Sequence, residues 1–365
     1  MPARIAIFLP SLIGGGAERS ALFVARALED AGYAVDVVVS VAKGALIDDP
    51  FARAHLVDLN AANELLALPA YLRYLKRAQP ALVISFVHSA NFISGLGGRY
   101  EPTPFVVSVR NTLDREPRDM WWVRRVFGFG PERRLYARAA RVHTLSASLG
   151  EQVRRRFGTP PGRIVVTASA VTLPDAAPPA PEPEAAALAP FLVTAGRLAP
   201  IKGFDTLISA HAAAGAPMRL VILGDGPDRA KLEAQAAALG TPVTFAGYRD
   251  PIAPWLAAAH GFVFASRGEG LPRVVIEALH ARLPIVATRS EGGVAELLGD
   301  GAFGRLVPLG DAAALAAGIR DLAAGTVPVP AQAALDAHLA QFRPDAVAAA
   351  YVTMVRDVLA ETGLG

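Results

Sequence analysis

Apolar and polar positions alternate along the chain in a regular rhythm of short apolar runs and longer amphipathic stretches. The stretch "AERSALFVARALEDAG" (17–32) has apolar residues at helical spacing and predicts an amphipathic helix. In the first half, five apolar runs predict strands: "RIAIFLP" (4–10), "AVDVVVS" (34–40), "ALVISF" (81–86), "PFVVSV" (104–109) and "RVHTLS" (141–146). Strands that alternate with helices are typical of an α/β domain.

The second half repeats the rhythm. Five further strands are predicted: "FLVTAG" (191–196), "MRLVILGDG" (218–226), "PVTFAG" (242–247), "HGFVFAS" (260–266) and "LPIVAT" (283–288). Apolar runs this continuous are typical of parallel strands that are buried on both faces of a sheet.

Between the halves lies "LPDAAPPAPEPEAAALAP" (173–190), whose prolines and alanines predict an extended connection. We therefore expect two Rossmann-like, doubly wound domains, 1–173 and 174–342. Facing each other, they would place the carboxyl ends of both sheets around a central cleft, where open α/β sheets bind ligands.

Length and composition agree with two globular domains. The chain has 365 residues, 52% of them hydrophobic and 19% charged, and no cysteine. The missing cysteines exclude a disulfide framework, a thiolate nucleophile and a cysteine-ligated metal. The amino-terminal apolar run is too short for a signal peptide or a spanning helix, so we expect a cytoplasmic protein.

The two halves differ in charge. Residues 1–173 contain 22 Lys and Arg against 14 Asp and Glu, whereas 174–365 contain 14 against 19. The segment 115–142 interleaves arginines with Trp121, Trp122, Phe127, Phe129 and Tyr136. This mixture suits an anionic membrane surface, although the same aromatics could instead pack a helix onto the sheet. We expect no nucleic-acid partner, since no known nucleic-acid motif surrounds the segment.

Two glutamates stand out in "SRGEGLPRVVIEALHARLPIVAT" (266–288). Pro272 suits the first position of a helix, so Glu269 lies in the preceding loop and Glu277 about one and a half turns inside the helix. The helix amino terminus between them favours an anion. Carboxylates accept paired hydrogen bonds from vicinal diols. A ligand with central phosphates and hydroxyls at both ends, such as a nucleotide sugar, fits this spacing.

Three other segments carry matching chemistry at predicted strand ends, and one of them, the glycine turn "SEGGVAE" (290–296) after "LPIVAT", could cap the sugar end of the ligand. "GRLAPIKG" (196–203) supplies the cations Arg197 and Lys202, which could neutralise a diphosphate. "IGGGAERS" (13–20) opens a helix, and its glycines allow the backbone to approach a phosphate or a sugar closely.

The E-x7-E spacing of Glu269 and Glu277, the "GRL…KG" segment and the amino-terminal "GGGAE" together resemble the retaining glycosyltransferases of family 4. The resemblance spans nearly the whole chain. It implies the GT-B fold and transfer of a sugar from a nucleoside diphosphate, most simply a UDP-sugar. The implied acceptor is a polysaccharide or a polyprenyl-linked glycan. It also implies a carboxyl-terminal helix, 343–365, that crosses back to the first domain.

The resemblance further implies roles for individual residues. Glu269 would contact hydroxyls of the donor sugar, Glu277 the ribose hydroxyls, and Arg197 and Lys202 the diphosphate. The other implied donor-binding positions are Gly15, Gly16, Arg249, Gly270 and Leu271, and His88 would lie beside the reacting sugar. Arg273 follows the "EGLP" motif where the family often has an apolar residue, which leaves the donor sugar open. The "SVRNT" segment (108–112) places Arg110 and Asn111 on the acceptor side.

The family's mechanism requires no metal and no cofactor besides the donor, and no D-x-D segment follows an apolar strand. Two other functions stay open. The chain could bind a nucleotide sugar without transferring it, or it could be a GT-B nucleotide-sugar epimerase. Each feature also has a structural interpretation, such as a solvated Glu277 or a core His88, and only their combination favours the enzyme.

Overall fold

The computed structural model describes residues 2–113, 130–172 and 180–363. The chain divides into two compact units. Unit 1 consists of Met1–Ala170 and Pro344–Gly365, and unit 2 of Val171–Arg343.

Within the described residues, unit 1 holds a seven-stranded parallel sheet with the order β3-β2-β1-β4-β5-β6-β7. Its strands are β1 (Arg4–Leu9), β2 (Ala34–Val39), β3 (Leu56–Asp58), β4 (Leu82–Phe86), β5 (Phe105–Val109), β6 (Arg141–Thr144) and β7 (Ile164–Val166). Its first helices are α1 (Gly16–Asp30), α2 (Pro50–His55), α3 (Leu68–Ala78), α4 (His88–Gly97), α5 (Gly130–Arg138) and α6 (Ala147–Phe157). The strand order reverses between β1 and β4, which is where open α/β sheets bind ligands.

The described part of unit 2 holds a six-stranded sheet, ordered β10-β9-β8-β11-β13-β15, and a two-stranded bridge of β12 and β14. Its strands are β8 (Phe191–Ala195), β9 (Arg219–Leu223), β10 (Val243–Gly247), β11 (Gly261–Phe264), β12 (Gly268–Glu269), β13 (Ile285–Arg289), β14 (Glu291–Gly292) and β15 (Arg305–Pro308). Its helices are α7 (Pro183–Leu188), α8 (Phe204–Ala213), α9 (Arg229–Ala238), α10 (Ala253–Leu256), α11 (Arg273–His280), α12 (Val294–Leu297), α13 (Ala312–Ala323) and α14 (Gln332–Leu339). Here the order reverses between β8 and β11.

Both faces of the first sheet are buried, which explains why its strands are apolar at consecutive positions. Along β1, Ile5 and Ile7 belong to one hydrophobic cluster, whereas Ala6 and Phe8 belong to the cluster on the opposite face. The first cluster includes residues of α1 and of the last helix, α15 (Pro344–Thr362).

The last helix is tied to the sheet of unit 1 by a buried polar group. The Tyr351 hydroxyl lies 3.0 Å from Nε2 of His143, and the Ser108 hydroxyl lies 2.8 Å from Nδ1 of the same ring. Burial lowers the pKa of His143 to about 3, so the imidazole is neutral. It can then accept from Ser108 and donate to the carbonyl of Thr167, 3.0 Å away.

The ten strands predicted from apolar runs are all present, and the predicted fold class is confirmed. Five strands were missed: β3, β7, β12, β14 and β15. The first four of these have two or three residues, too few to show a hydrophobic period, and β15 has only one buried residue in four. The prediction of an extended connection over 173–190 is wrong for Pro183–Leu188, which is helical because Pro183 suits a helix start and Ala185 is buried.

Replacing Tyr351 by alanine should destabilise unit 1, since it empties a wholly buried aromatic site. We expect a loss of about 3–5 kcal/mol for Tyr351→Ala and about 1 kcal/mol for Tyr351→Phe, which removes only the hydroxyl. Urea unfolding of the full chain measures both. Thr353→Ala, at an exposed position on the same helix, is the control. Equal effects of Tyr351→Ala and Thr353→Ala would contradict this packing.

Candidate functional site

Lys202 and Glu269 lie together at the carboxyl ends of neighbouring strands. Lys202 ends a short 3-10 turn after β8, and Glu269 lies in the loop after β11, which pairs with β8. The Lys202 ammonium Nζ is 2.5 Å from Oε1 of Glu269, and the Ser266 hydroxyl is 3.0 Å from the same oxygen. The side chains of Lys202 and Glu269 are 23% and 15% exposed, so both still reach solvent. The two predicted residues therefore form a half-buried ion pair.

The backbone of Glu269 is fixed by a third loop. Gly268 and Glu269 pair with Glu291 and Gly292 in the short parallel bridge of β12 and β14. The Gly293 amide also points at the carbonyls of Glu269 and Gly270, at 3.3 and 3.0 Å. The "SEGGVAE" segment after β13 thus holds the Glu269 loop in place.

Glu277 lies on α11, which begins at Arg273, one residue later than predicted, because Pro272 is the extended N-cap residue and not the first helical residue. Burial raises the pKa of the Glu277 carboxyl to about 7, although the nearby Arg273 cation opposes the shift. A carboxyl with so perturbed a pKa in a strand-end region is a candidate ligand-binding group. Among the described residues, buried Arg273 Nε and Ser290 Oγ have no hydrogen-bond partner. Native proteins rarely leave such atoms unpaired, and a polar ligand or a water molecule beside them would satisfy both.

The remaining predicted residues of unit 2 differ in their surroundings. Arg197 is exposed on the loop after β8. Arg249 is already engaged within the unit, because its guanidinium is 2.7 Å from Glu184 and lies over the Trp255 ring. Gly270 is buried and Leu271 is partly exposed beside Glu269. The structure thus brings Lys202, Glu269, Gly270 and Leu271 together and leaves Arg197 in solvent.

In unit 1, the glycine loop follows β1 and leads into α1. Gly14 has a φ of +104°, which glycine adopts easily, and Gly15 precedes the first turn of α1. A Cβ at Gly15 would lie 2.6 Å from Oε2 of Glu18, whereas one at Gly16 would meet nothing within 4 Å. The buried Glu18 carboxylate therefore occupies the space above Gly15, and the open approach is at Gly16.

His88 begins α4, in the loop after β4. The preceding Val87 has a φ of +74°, a strained conformation for a β-branched residue. His88 Nε2 lies 3.2 Å from the nearly fully buried carboxylate of Glu132 on α5, at ion-pair distance but without hydrogen-bond alignment. Strain of this kind is common where a side chain must be held at a functional site.

Some residues of these sites were not found from the sequence. Ser266 precedes Glu269 in a segment whose sequence signal is its two glutamates, and Ser290 opens a turn whose signal is its glycines. No sequence pattern connects Glu132 with His88, because they lie on different helices. In the described ranges, no three His, Asp or Glu side chains are grouped to hold a metal ion. The metal-independent mechanism remains a prediction.

Two doubly wound parallel-sheet units of this kind define the GT-B class of proteins. HepE of Anabaena, solved with UDP and glucose, superposes on 97% of this chain and 100% of its own with a TM-score of 0.77 at 20% identity. The sequence model of Glycosyltransferase Family 4 matches residues 14–173, and that of Glycosyl transferases group 1 matches residues 189–324. The chain therefore belongs to these glycosyltransferase families, as predicted.

Two curated relatives match part of the chain. The lipopolysaccharide core biosynthesis glycosyltransferase LpsE of Rhizobium meliloti is 40% identical over 138 residues, 37% of this chain and 40% of LpsE. The N-acetylgalactosamine-N,N'-diacetylbacillosaminyl-diphospho-undecaprenol 4-alpha-N-acetylgalactosaminyltransferase of Campylobacter jejuni is 29% identical over 190 residues, 52% of each chain. The chain thus spans about half the length of these relatives or less.

We expect Glu277→Gln to stabilise the protein at pH 8. Unfolding lets the Glu277 carboxyl ionise near its ordinary pKa of 4.5 rather than near 7, so ionisation favours the unfolded chain increasingly as pH rises between these values. Glutamine removes that penalty, which is on the order of 1–3 kcal/mol above pH 7 and near zero at pH 4.5. The melting temperature should therefore rise by several degrees at pH 8.

The control is Glu182→Gln, outside the strand-end loops, which should leave the melting temperature unchanged at both pH values. A lower melting temperature for Glu277→Gln at pH 8 would show that the carboxylate stabilises the fold and would argue against a ligand-binding role.

Proposed function

We propose that the chain is a retaining glycosyltransferase that transfers a sugar from a UDP-sugar to a glycan or polyprenyl-linked acceptor of bacterial polysaccharide or lipopolysaccharide synthesis. The observation that carries the proposal is the ion pair of Lys202 and Glu269 at the strand ends of unit 2, with Glu277 on the adjoining helix. A cation for phosphate and two carboxylates for hydroxyls are the groups that a nucleotide sugar requires.

The proposed donor site works by exchange of partners. When a nucleotide sugar enters, the Lys202 ammonium turns from Glu269 to the diphosphate, a stronger anion. Glu269 then accepts hydrogen bonds from sugar hydroxyls, and ionised Glu277 accepts them from the ribose. Arg197, exposed on the same loop as Lys202, adds a second cation. These cations stabilise the charge that develops on the leaving diphosphate, so no metal is required.

The retaining outcome and the role of His88 come from the family resemblance. In that mechanism the departing phosphate takes the proton of the acceptor, so the enzyme supplies no base. His88 lies in unit 1 with its ring beside Glu132, and we assign it to the reacting sugar. Gly16, Arg110 and Asn111 are assigned to unit 1 contacts with the donor phosphate or the acceptor.

The relatives support the substrate class. The printed name of LpsE assigns it to lipopolysaccharide core synthesis, and that of the Campylobacter relative names a diphospho-undecaprenol acceptor. HepE was solved with UDP and glucose. A lipid-linked acceptor would place the enzyme at the inner face of the cell membrane. No helix in the described ranges is both long and apolar enough to cross a bilayer.

One helix layer of unit 1 is suited to such a surface. Helices α3, α4, α5 and α6 pack side by side on the same face of the sheet. Their exposed basic residues are Arg73, Lys76, Arg77, Arg133, Arg134, Arg138, Arg154 and Arg155. We propose that this basic layer faces anionic lipid. Trp121, Trp122, Phe127, Phe129, Arg124 and Arg125 lie outside the described residues, so their proposed membrane contact rests on the sequence alone. Tyr136, in contrast, is buried and stacks on Phe157, which is the packing role and not membrane contact.

Thermal shift and donor hydrolysis test the function. A UDP-hexose at 100 times its Kd should stabilise the protein by about 2.7 kcal/mol, and UDP should be released from it with EDTA present. Lys202→Ala should lower kcat by about 100-fold, as loss of one charge-stabilising group does, whereas Lys231→Ala at an exposed position on α9 should not. Stabilisation without hydrolysis or transfer would favour a binding protein. Loss of activity on chelation, restored by magnesium, would contradict the metal-independent mechanism.

Vesicle co-sedimentation tests the membrane surface. The protein should bind anionic vesicles at low salt and dissociate as ionic strength rises, because each basic residue contributes about 1 kcal/mol that salt screens. Arg133→Glu with Arg134→Glu should weaken binding strongly. The control carries the same charge change at Arg53 and Arg356, exposed on helices at the opposite face of the sheet. Equal weakening by both double variants would contradict a specific basic layer.

A further inference from the structure

Arg267 connects the two loops that carry Lys202 and Glu269. Its Nη2 atom lies 2.7 Å from both carboxylate oxygens of Asp205 and 2.9 Å from the hydroxyl of Thr206, at the start of α8. Its Nη1 atom donates to the carbonyl of Pro200, which begins the turn that ends in Lys202. One guanidinium thus binds three residues of the segment 200–206, which contains Lys202.

The backbone joins the same two loops. The Arg267 amide donates to the carbonyl of Ile201 at 2.8 Å, and the Ser266 hydroxyl lies 3.1 Å from that carbonyl. Gly203 has a φ of +65°, and a Cβ there would lie 2.1 Å from the carbonyl oxygen of Ala265. Residues 200–206 and 265–270, which we call the loop pair, are therefore in direct backbone contact.

Within the loop pair, the positive charge of Arg267 lies against the negative charge of Asp205. Burial of Asp205 would raise its pKa, but the hydrogen bond from Arg267 holds the pKa of this carboxyl below its ordinary range. Arg267 and Asp205 are each about one-third exposed or slightly more, so the pair is at the protein surface. An isolated ion pair at such exposure adds little stability. The several contacts of Arg267 therefore indicate a role for it besides the stability that an ion pair contributes.

Arginine suits this place and lysine does not. The planar guanidinium can hold the carboxylate, the hydroxyl and the carbonyl together, whereas a lysine ammonium is a point charge without that fixed geometry. In the proposed reaction, Lys202 binds phosphate while Glu269 binds the sugar attached to it. Their separation must match the donor, and an error of about 1 Å in such a placement can cost about 100-fold in rate.

We propose that Arg267 is a positioning residue, which fixes the turn bearing Lys202 to the loop bearing Glu269 so that the two side chains meet one donor molecule. The inference rests on the proposed function for its catalytic consequence. The physical connection of the two loops stands on the structure of unit 2.

The catalytic arm compares Arg267→Lys and Arg267→Ala with wild type in UDP-sugar hydrolysis. Both variants should lower kcat about 10- to 100-fold, while the Kd for UDP, which lacks the sugar, changes by less than about 5-fold. Combined with Lys202→Ala, Arg267→Ala should add little, because it acts through Lys202. The matched control is Arg305→Lys, which should retain full kcat. Arg305 begins β15 and forms a surface ion pair with Asp321 on α13.

The second arm needs no donor. Amide hydrogen exchange should become faster, by about tenfold, in both 198–206 and 265–270 of Arg267→Ala and of Asp205→Asn, and in neither segment of Arg305→Ala. Faster exchange in only one segment, or in neither, would overturn the proposed connection. An unchanged kcat in Arg267→Ala would also overturn it. The same holds if UDP affinity and melting temperature fall together in Arg267→Ala, since that would indicate general destabilisation. If the wild type binds no UDP-sugar, the proposed function fails, and the exchange arm still decides whether Arg267 joins the loops.

Discussion

The parallel pairing of β8 with β11 is the constraint on which the candidate donor site depends. These strands are neighbours in the sheet although β9 and β10 lie between them in the chain. Parallel neighbours end at the same edge, so the loop with Lys202 and the loop with Glu269 meet there. In unit 1, β1 pairs with β4 in the same way, so the glycine loop after β1 and His88 after β4 lie at the same edge of the sheet. In both units these residues follow the strands at which the order reverses.

The two carboxyl groups of the donor site differ in how their charge is compensated. Lys202 compensates Glu269 directly, whereas Glu277 is left in a partly buried place where ionisation is unfavourable. A sequence selected only for stability would have little reason to keep such a carboxyl, or the buried unpaired atoms of Arg273 and Ser290. Binding sites commonly keep groups that are unfavourable without their ligand. Glu277 and Arg273 lie on α11, the helix at which the family resemblance places the donor.

The long central strands of both units and the helix α11 were predictable from the sequence. The long central strands were found because burial on both faces makes them continuously apolar, and α11 was found from Pro272. Short strands such as β3 and β7 were missed because three residues show no hydrophobic period. The pairing of Lys202 with Glu269 follows from strand order, which the sequence leaves open. Arg267 was overlooked because its three partners, Pro200, Asp205 and Thr206, lie in another loop, and only the folded chain brings them together.

In the proposed site, Glu277 binds the donor as a carboxylate. A UDP-sugar has no phosphate group that titrates near neutral pH, so a proton released on its binding must come from the protein. Calorimetric titration at pH 7 in buffers of different ionisation enthalpy counts that proton. We predict release of about half a proton by the wild type, since a group with a pKa of about 7 is half protonated at pH 7, and none by Glu277→Gln. Equal proton release by both proteins, or proton uptake by the wild type, would contradict it.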